Sequence, residues 1–178
     1  VGPAHGTPPF FQANLTASVA RRAFINYSLL VVEDEITLRA TGEAELEGFY
    51  YGVPLPWGRD IEFIYYRAFN ASDPDVEFEV SGPVELGDLD FKGLVVWLPR
   101  RLELGEDQAS SISVVLVLNG SLSSQGGDTY RVEVPLCPML SLDVGNCSFE
   151  LELPVGATIS EKEPEGMGER VSGRVWTL

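Results

Sequence analysis

The chain has 178 residues, 27 acidic against 12 basic, and a formal charge of −15. That length suffices for one domain with a sizeable core. A surface this acidic repels nucleic acid and anionic membranes, and no run approaches the ~18 uncharged apolar residues of a bilayer span.

The first residues, VGPAHGTPP, carry no periodic pattern. The chain starts on Val and has no signal-peptide pattern, so Val1 is expected to follow removal of a leader. Behind it, Phe11, Ala13, Leu15, Ala17 and Val19 alternate with Gln12, Asn14, Thr16 and Ser18. Such alternation is that of a half-buried strand. Pro3, Pro8 and Pro9 keep the leader out of a sheet. The strand therefore either opens the chain's own fold or, with a free end and a leash at 20–28, is given to a neighbour. Residues 17–31 fit a helix by the spacing of Ala20, Phe24, Tyr27 and Leu30. β-branched Ile25 and Val31 favour strand, and the pattern leaves both open.

Residues 36–48, ITLRATGEAELEG, alternate over their whole length and read as one long strand, bent or bulged at Gly42. IEFIYYRAF (61–69), LVVWL (94–98) and ISVVLVL (112–118) read as strands covered on both faces. VEFEV, YRVEV and FELEL turn Val76, Phe78, Val80, then Tyr130, Val132, Val134, then Phe149, Leu151 and Leu153 inward. RVSGRVWTL reads as a last strand, and EKEPEGMGE as a flexible loop. Turn chemistry separates these segments. With no internal repeat, they predict an all-β fold, an antiparallel β-sandwich of jelly-roll type.

Every Asn in the chain lies in an N-x-S/T acceptor: Asn14, Asn26, Asn70, Asn119 and Asn146. With Ser and Thr at about an eighth of the residues, five of five by chance is on the order of 1 in 30,000, so a secreted, N-glycosylated chain is expected. Asn70 and Asn119 stand in turns and are the most accessible. Asn146 is the least, because a disulfide at Cys147 would crowd it. The two cysteines, Cys137 and Cys147, allow one pairing. An exported chain would close it, with roughly 2–3 kcal/mol of stabilisation. Scarce Asn, Gln, Cys and Met follow a thermophile tendency.

Catalytic material is poor. His5 is the only imidazole and sits in the leader, which leaves Ser–His and Cys–His arrangements without a base. No phosphate-binding glycine loop appears. Carboxylates such as Glu43, Glu45 and Glu47 fall on the solvated side of strands. Asp73, Asp75, Asp88 and Asp90 form two D-x-D loops of the kind that binds Ca²⁺, but Asp is also a turn former, and no metal or cofactor is assigned. Trp57, Trp97, Trp176 and the run Phe49, Tyr50, Tyr51 would suit a carbohydrate platform. GFYYGVPLPWG is read instead as a contact with another subunit.

DIEFIYYRAFNASDPDVEFEVSGPVEL, and then LELGEDQASSISVVLVLNGSLSSQGGDTYRVEV, resemble the TasA/camelysin-type secreted β-sandwich filament subunits, including archaeal bundling-pilus and thread proteins. The likeness covers about residues 60–135 and is one of turns and alternation. It implies a jelly-roll whose N-terminal strand completes a neighbour's sheet. On that pattern residues 1–27 form the tail and donor strand (Phe11, Ala13, Leu15, Ala17, Val19), and 28–178 form the sandwich. The expected product is a head-to-tail homopolymer at the surface of a thermophilic archaeon, partnered by itself and by N-linked glycans. The alternatives are a monomeric adhesion or ligand-binding ectodomain and, more remotely, a carbohydrate-active enzyme.

Overall fold

The computed structural model describes residues 14–158, 170–172 and 175–177, the last two segments as backbone only. The strands are β1 (Leu15–Asn26), β2 (Leu29–Ala40), β3 (Ala44–Pro54), β4 (Glu62–Asn70), β5 (Asp73–Leu86), β6 (Phe91–Leu104) and β7 (Ala109–Asn119). β8 (Leu122–Gly126), β9 (Thr129–Val132), β10 (Met139–Leu140), β11 (Asp143–Glu152), β12 (Arg170–Ser172) and β13 (Val175–Thr177) follow. An α-helical turn, α1 (Leu55–Gly58), and a 3-10 turn at Gly87–Leu89 interrupt them. The fold is all-β, as expected.

Among the described residues, one sheet runs β10-β3-β6-β5-β4-β7-β2-β1-β11-β13-β12, and β8 pairs with β9 separately. The large sheet is mixed, because β1 and β11 run parallel. It curls at β5. The first half of that strand pairs with β4 and the second half with β6. The curl brings β3 and β6 to the same core as β1, β2 and β7, where Leu15, Ile36, Phe49, Leu94 and Leu116 pack in one cluster. On the far side of β6, Tyr50, Phe91 and Val95 form a second, smaller cluster. Gly52 and Gly93 sit opposite each other on β3 and β6. A Cβ on Gly52 would lie 2.3 Å from the Lys92 carbonyl, so the strands approach there only without side chains.

Several expectations are corrected. β1 is not presented to a neighbour. It lies between β2 and β11 of its own chain, in register with β2 from Leu15↔Ala40 to Asn26↔Leu29. Leu15, Ala17 and Val19 fill its own core, and Phe11 and Ala13 lie outside the described residues. Both sides of β1 are hydrogen-bonded, which meets the backbone's demand without a partner. No boundary therefore falls between residues 27 and 28. Residues 17–31 are a hairpin rather than a helix. It turns at Tyr27 and Ser28, with Tyr27 at φ 57°.

The long alternation at 36–48 is two strands. Bends at 41–43 carry the chain from β2 into β3, and the inward side stays inward, with Ile36, Leu38, Ala40, Ala44 and Leu46 all buried. The apolar side chains of GFYYGVPLPWG turn into the chain's own core: Phe49, Tyr50, Tyr51, Val53 and Leu55 are buried. Val76 and Tyr130, read as inward, are exposed, and Ile64 and Tyr65 leave β4 open on its outer face.

Candidate functional site

The five acceptor asparagines are distributed over the surface. Asn14 opens β1, Asn26 closes it beside the Tyr27 turn, Asn70 ends β4 and Asn119 ends β7. Asn146 alone lies inside a strand, β11. Asn14, Asn26, Asn119 and Asn146 are exposed and Asn70 is half-buried. Asn70 Oδ1 accepts the Ser72 N–H at 2.8 Å, closing an Asx turn. Asn119 Nδ2 donates to Glu62 Oε2 at 3.4 Å, and Asn14 Nδ2 to the Glu43 carbonyl at 3.2 Å.

The hydroxyl partners differ. Ser28, Ser72 and Ser148 are exposed, whereas Ser121 is buried and its Oγ has no partner among the described residues. Gly120, between Asn119 and Ser121, has φ +99°, and a Cβ there would meet the Asp60 carbonyl at 2.4 Å. Local chain geometry therefore requires the Gly in this acceptor.

Cys137 and Cys147 are disulfide-bonded, with Cα atoms 6.1 Å apart. The bond ties the loop before β10 to β11. Asn146 is exposed beside this bond. Cys147 packs against the core, whereas Asn146 and Ser148 on either side of it are exposed, as strand alternation requires.

A buried polar network escaped the sequence reading. Arg21 on β1 and Asp34 on β2 are cross-strand partners and both are buried. Arg21 Nε donates to Asp34 Oδ1 at 2.8 Å and Nη2 to Oδ2 at 2.7 Å. Arg21 Nη1 donates to the Pro135 carbonyl at 2.6 Å. Tyr51 Oη, from β3 across the core, donates to Asp34 Oδ2 at 2.7 Å. The network joins both halves of the curled sheet to the loop that carries the disulfide.

Burial works to lower the Arg21 pKa, but the charge and hydrogen bonds of Asp34, with Tyr51, more than offset it and leave it above its ordinary value. Burial, reinforced by the Asp34 carboxylate, holds the Tyr51 hydroxyl well above its ordinary value, so it stays protonated. Each group spends its donors or acceptors on the others. The arrangement serves cohesion, tying β1, β2, β3 and the Pro135 carbonyl together. Its signal was legible in parity: Arg21 continues the inward series Ala17, Val19, and Asp34 lies between inward Val32 and Ile36.

The acidic pairs do not converge. Asp73 and Asp75 begin β5, and Asp88 and Asp90 follow its far end, fourteen residues of strand away. Among the described residues, no three His, Cys, Asp or Glu side chains are grouped to hold a metal ion. The aromatics form no common platform. Phe49, Tyr50 and Tyr51 are buried, Trp57 packs on the core, and Trp97 donates to Ser81 Oγ at 3.0 Å. The Trp176 side chain lies outside the described residues. Arg59, Asp60, Glu62, Phe63, Pro83 and Lys92 line an open groove of about 340 Å³. Lys92 is already engaged there, donating to the Ile61 carbonyl at 3.0 Å.

No protein-family model matches the chain, and no curated protein matches it. Among solved structures it is similar to an M1 zinc metallopeptidase from Deinococcus radiodurans, at 11% identity and a TM-score of 0.45. The match covers 95% of this chain and 39% of the peptidase, so the chain spans about two fifths of that protein's length. No helix among the described residues is long and apolar enough to cross a membrane.

Proposed function

We propose that this chain is a structural, N-glycosylated building unit of an extracellular surface assembly, with no catalytic role. The observation that carries this reading is the use of asparagine. All five stand in acceptor sequences, four of them are exposed, and four end or begin strands rather than fill the core. An Asn tolerated only where a glycan would cover it points to an exported surface. The disulfide supports the same compartment, and the buried Arg21–Asp34–Tyr51 network suits a rigid unit.

A filament of the TasA/camelysin kind is one form of such an assembly. Because β1 is held in its own sheet, a joint made without donating residues 15–19 is the version we put forward. The second reading is a monomeric adhesion or ligand-binding ectodomain, and the pairing of β1 on both sides favours it, since the sheet needs no neighbour there. Electron microscopy of material shed from the native cell surface separates them. Ordered polymer containing this chain supports the assembly. A chain recovered only as monomer at micromolar concentration contradicts it and leaves the ectodomain.

A further inference from the structure

An unpaired strand edge templates association with other chains, and proteins guard such edges with charges, proline, bulges or a cover. β11 has such an edge. Along its whole length it is bonded to β1 on one side. On the other side, among the described residues, β13 reaches only Glu150, Leu151 and Glu152. Among the described residues, no strand pairs with Asp143–Phe149 on that side. This stretch contains no Lys, Arg or Pro, and its one charged residue is Asp143. The register slips at Gly145, a single irregularity. The disulfide at Cys147 fixes the strand in place, so the edge cannot withdraw.

The opposite end of the sheet is built differently. Among the described residues β10 covers β3 only at Tyr51 and Gly52. The uncovered part of β3 carries exposed Glu45 and Glu47. Charged side chains of this kind are one of the guards of a strand edge. β11 has no such pair over Asp143–Phe149, yet it holds the one acceptor asparagine that lies within a strand. The other four sit at strand ends and turns. Asn146 and Ser148 face solvent while Cys147 faces the core.

We propose that the glycan on Asn146 guards this edge of β11, keeping a second copy of this chain from adding a strand along Asp143–Phe149. A paired strand would run about 4.8 Å away, with its side chains on the same face beside Asn146. A sugar chain rooted there occupies that space. The inference rests on the reading that the acceptor asparagines are glycosylated. It adds that one of them limits assembly to interfaces other than this edge.

The test compares the native chain with Asn146→Gln, Ser148→Ala and Asn26→Gln, each expressed in the glycosylating host. Light scattering after size exclusion gives mass, and hydrogen exchange gives edge protection. Asn146→Gln and Ser148→Ala are expected to associate at concentrations at least tenfold below those at which the native chain does, with slowed exchange at 144–149. Asn26→Gln is expected to behave as native. Adding Val144→Lys to Asn146→Gln should restore the native mass. Glycopeptide mapping separates the two failures. An unoccupied Asn146 in native protein overturns the glycosylation reading at this site and the proposal with it. An occupied Asn146 whose loss changes neither mass nor exchange overturns the guard alone. Association accompanied by loss of cooperative unfolding traces to misfolding and also overturns it.

Discussion

Arg21 and Asp34, neighbours on antiparallel strands, meet inside the core through two hydrogen bonds of 2.8 and 2.7 Å. Breaking a buried pair from one side strands the other charge, at about 3–5 kcal/mol. Replacing both members by apolar groups of similar size is often neutral. Arg21→Met is therefore expected to lose about 3–5 kcal/mol in chemical denaturation, and Arg21→Met/Asp34→Leu to recover most of it. Equal losses in the single and double variants would contradict the pairing.

Tyr51 gives the network a pH signature. Its pKa in the folded chain lies well above the ordinary 10.0. Below pH 10 the hydroxyl is protonated in both states, and its contribution is fully present. Above pH 10 the unfolded chain ionises first, so stability falls until the folded pKa is reached, by up to about 1.4 kcal/mol per pH unit. Tyr51→Phe should cost about 1–2 kcal/mol at neutral pH and remove this part of the alkaline decline. Parallel curves for native protein and variant above pH 10 would rule the shift out.

Ser121 is buried and its Oγ has no partner among the described residues. A desolvated, unpaired hydroxyl is costly, and removing it is neutral or favourable. Ser121→Ala is expected to match the native chain or exceed it by about 1 kcal/mol, while abolishing glycan attachment at Asn119. A loss greater than about 1 kcal/mol in non-glycosylated protein would show that the hydroxyl has a partner.

Much of the fold was legible because alternation reports which side of a strand is buried. Ile36 to Leu46 kept their inward parity even though the chain changes strands at 41–43. Parity does not report the partner. Nothing local in LTASV indicates pairing with Val144 to Cys147 at the other end of the chain, in a parallel ladder. The loose leader therefore suggested a strand for export, where the chain uses it at home. The β1–β2 turn was missed for a different reason. Tyr27 takes a positive φ that usually falls to Gly or Asn, so Asn26 and Ser28, without a Gly or Pro between them, were a weak turn signal. Arg21 and Asp34 interrupt an apolar series at inward positions, and nothing local pairs them, because each partner stands on another strand. The acceptor asparagines and the cysteine pair needed no tertiary information, since both are short-range signals.

The disulfide closes a small loop, of sequence separation 10, and is expected to stabilise by about 2–3 kcal/mol, mainly through the unfolded chain. Cys137→Ala/Cys147→Ala should fold, with faster hydrogen exchange at residues 137–147 and near-native exchange in β2 and β7. Uniformly faster exchange across the sheet would show that the bond holds the whole fold.

Intact mass of the chain purified from its native source tests the glycosylated surface reading most directly. The polypeptide alone has a mass of 19.5 kDa. The account predicts a heavier, heterogeneous species that resolves into glycopeptides containing Asn14, Asn26, Asn70, Asn119 and Asn146. A single species at the bare polypeptide mass, less the two hydrogens of one disulfide, would contradict it.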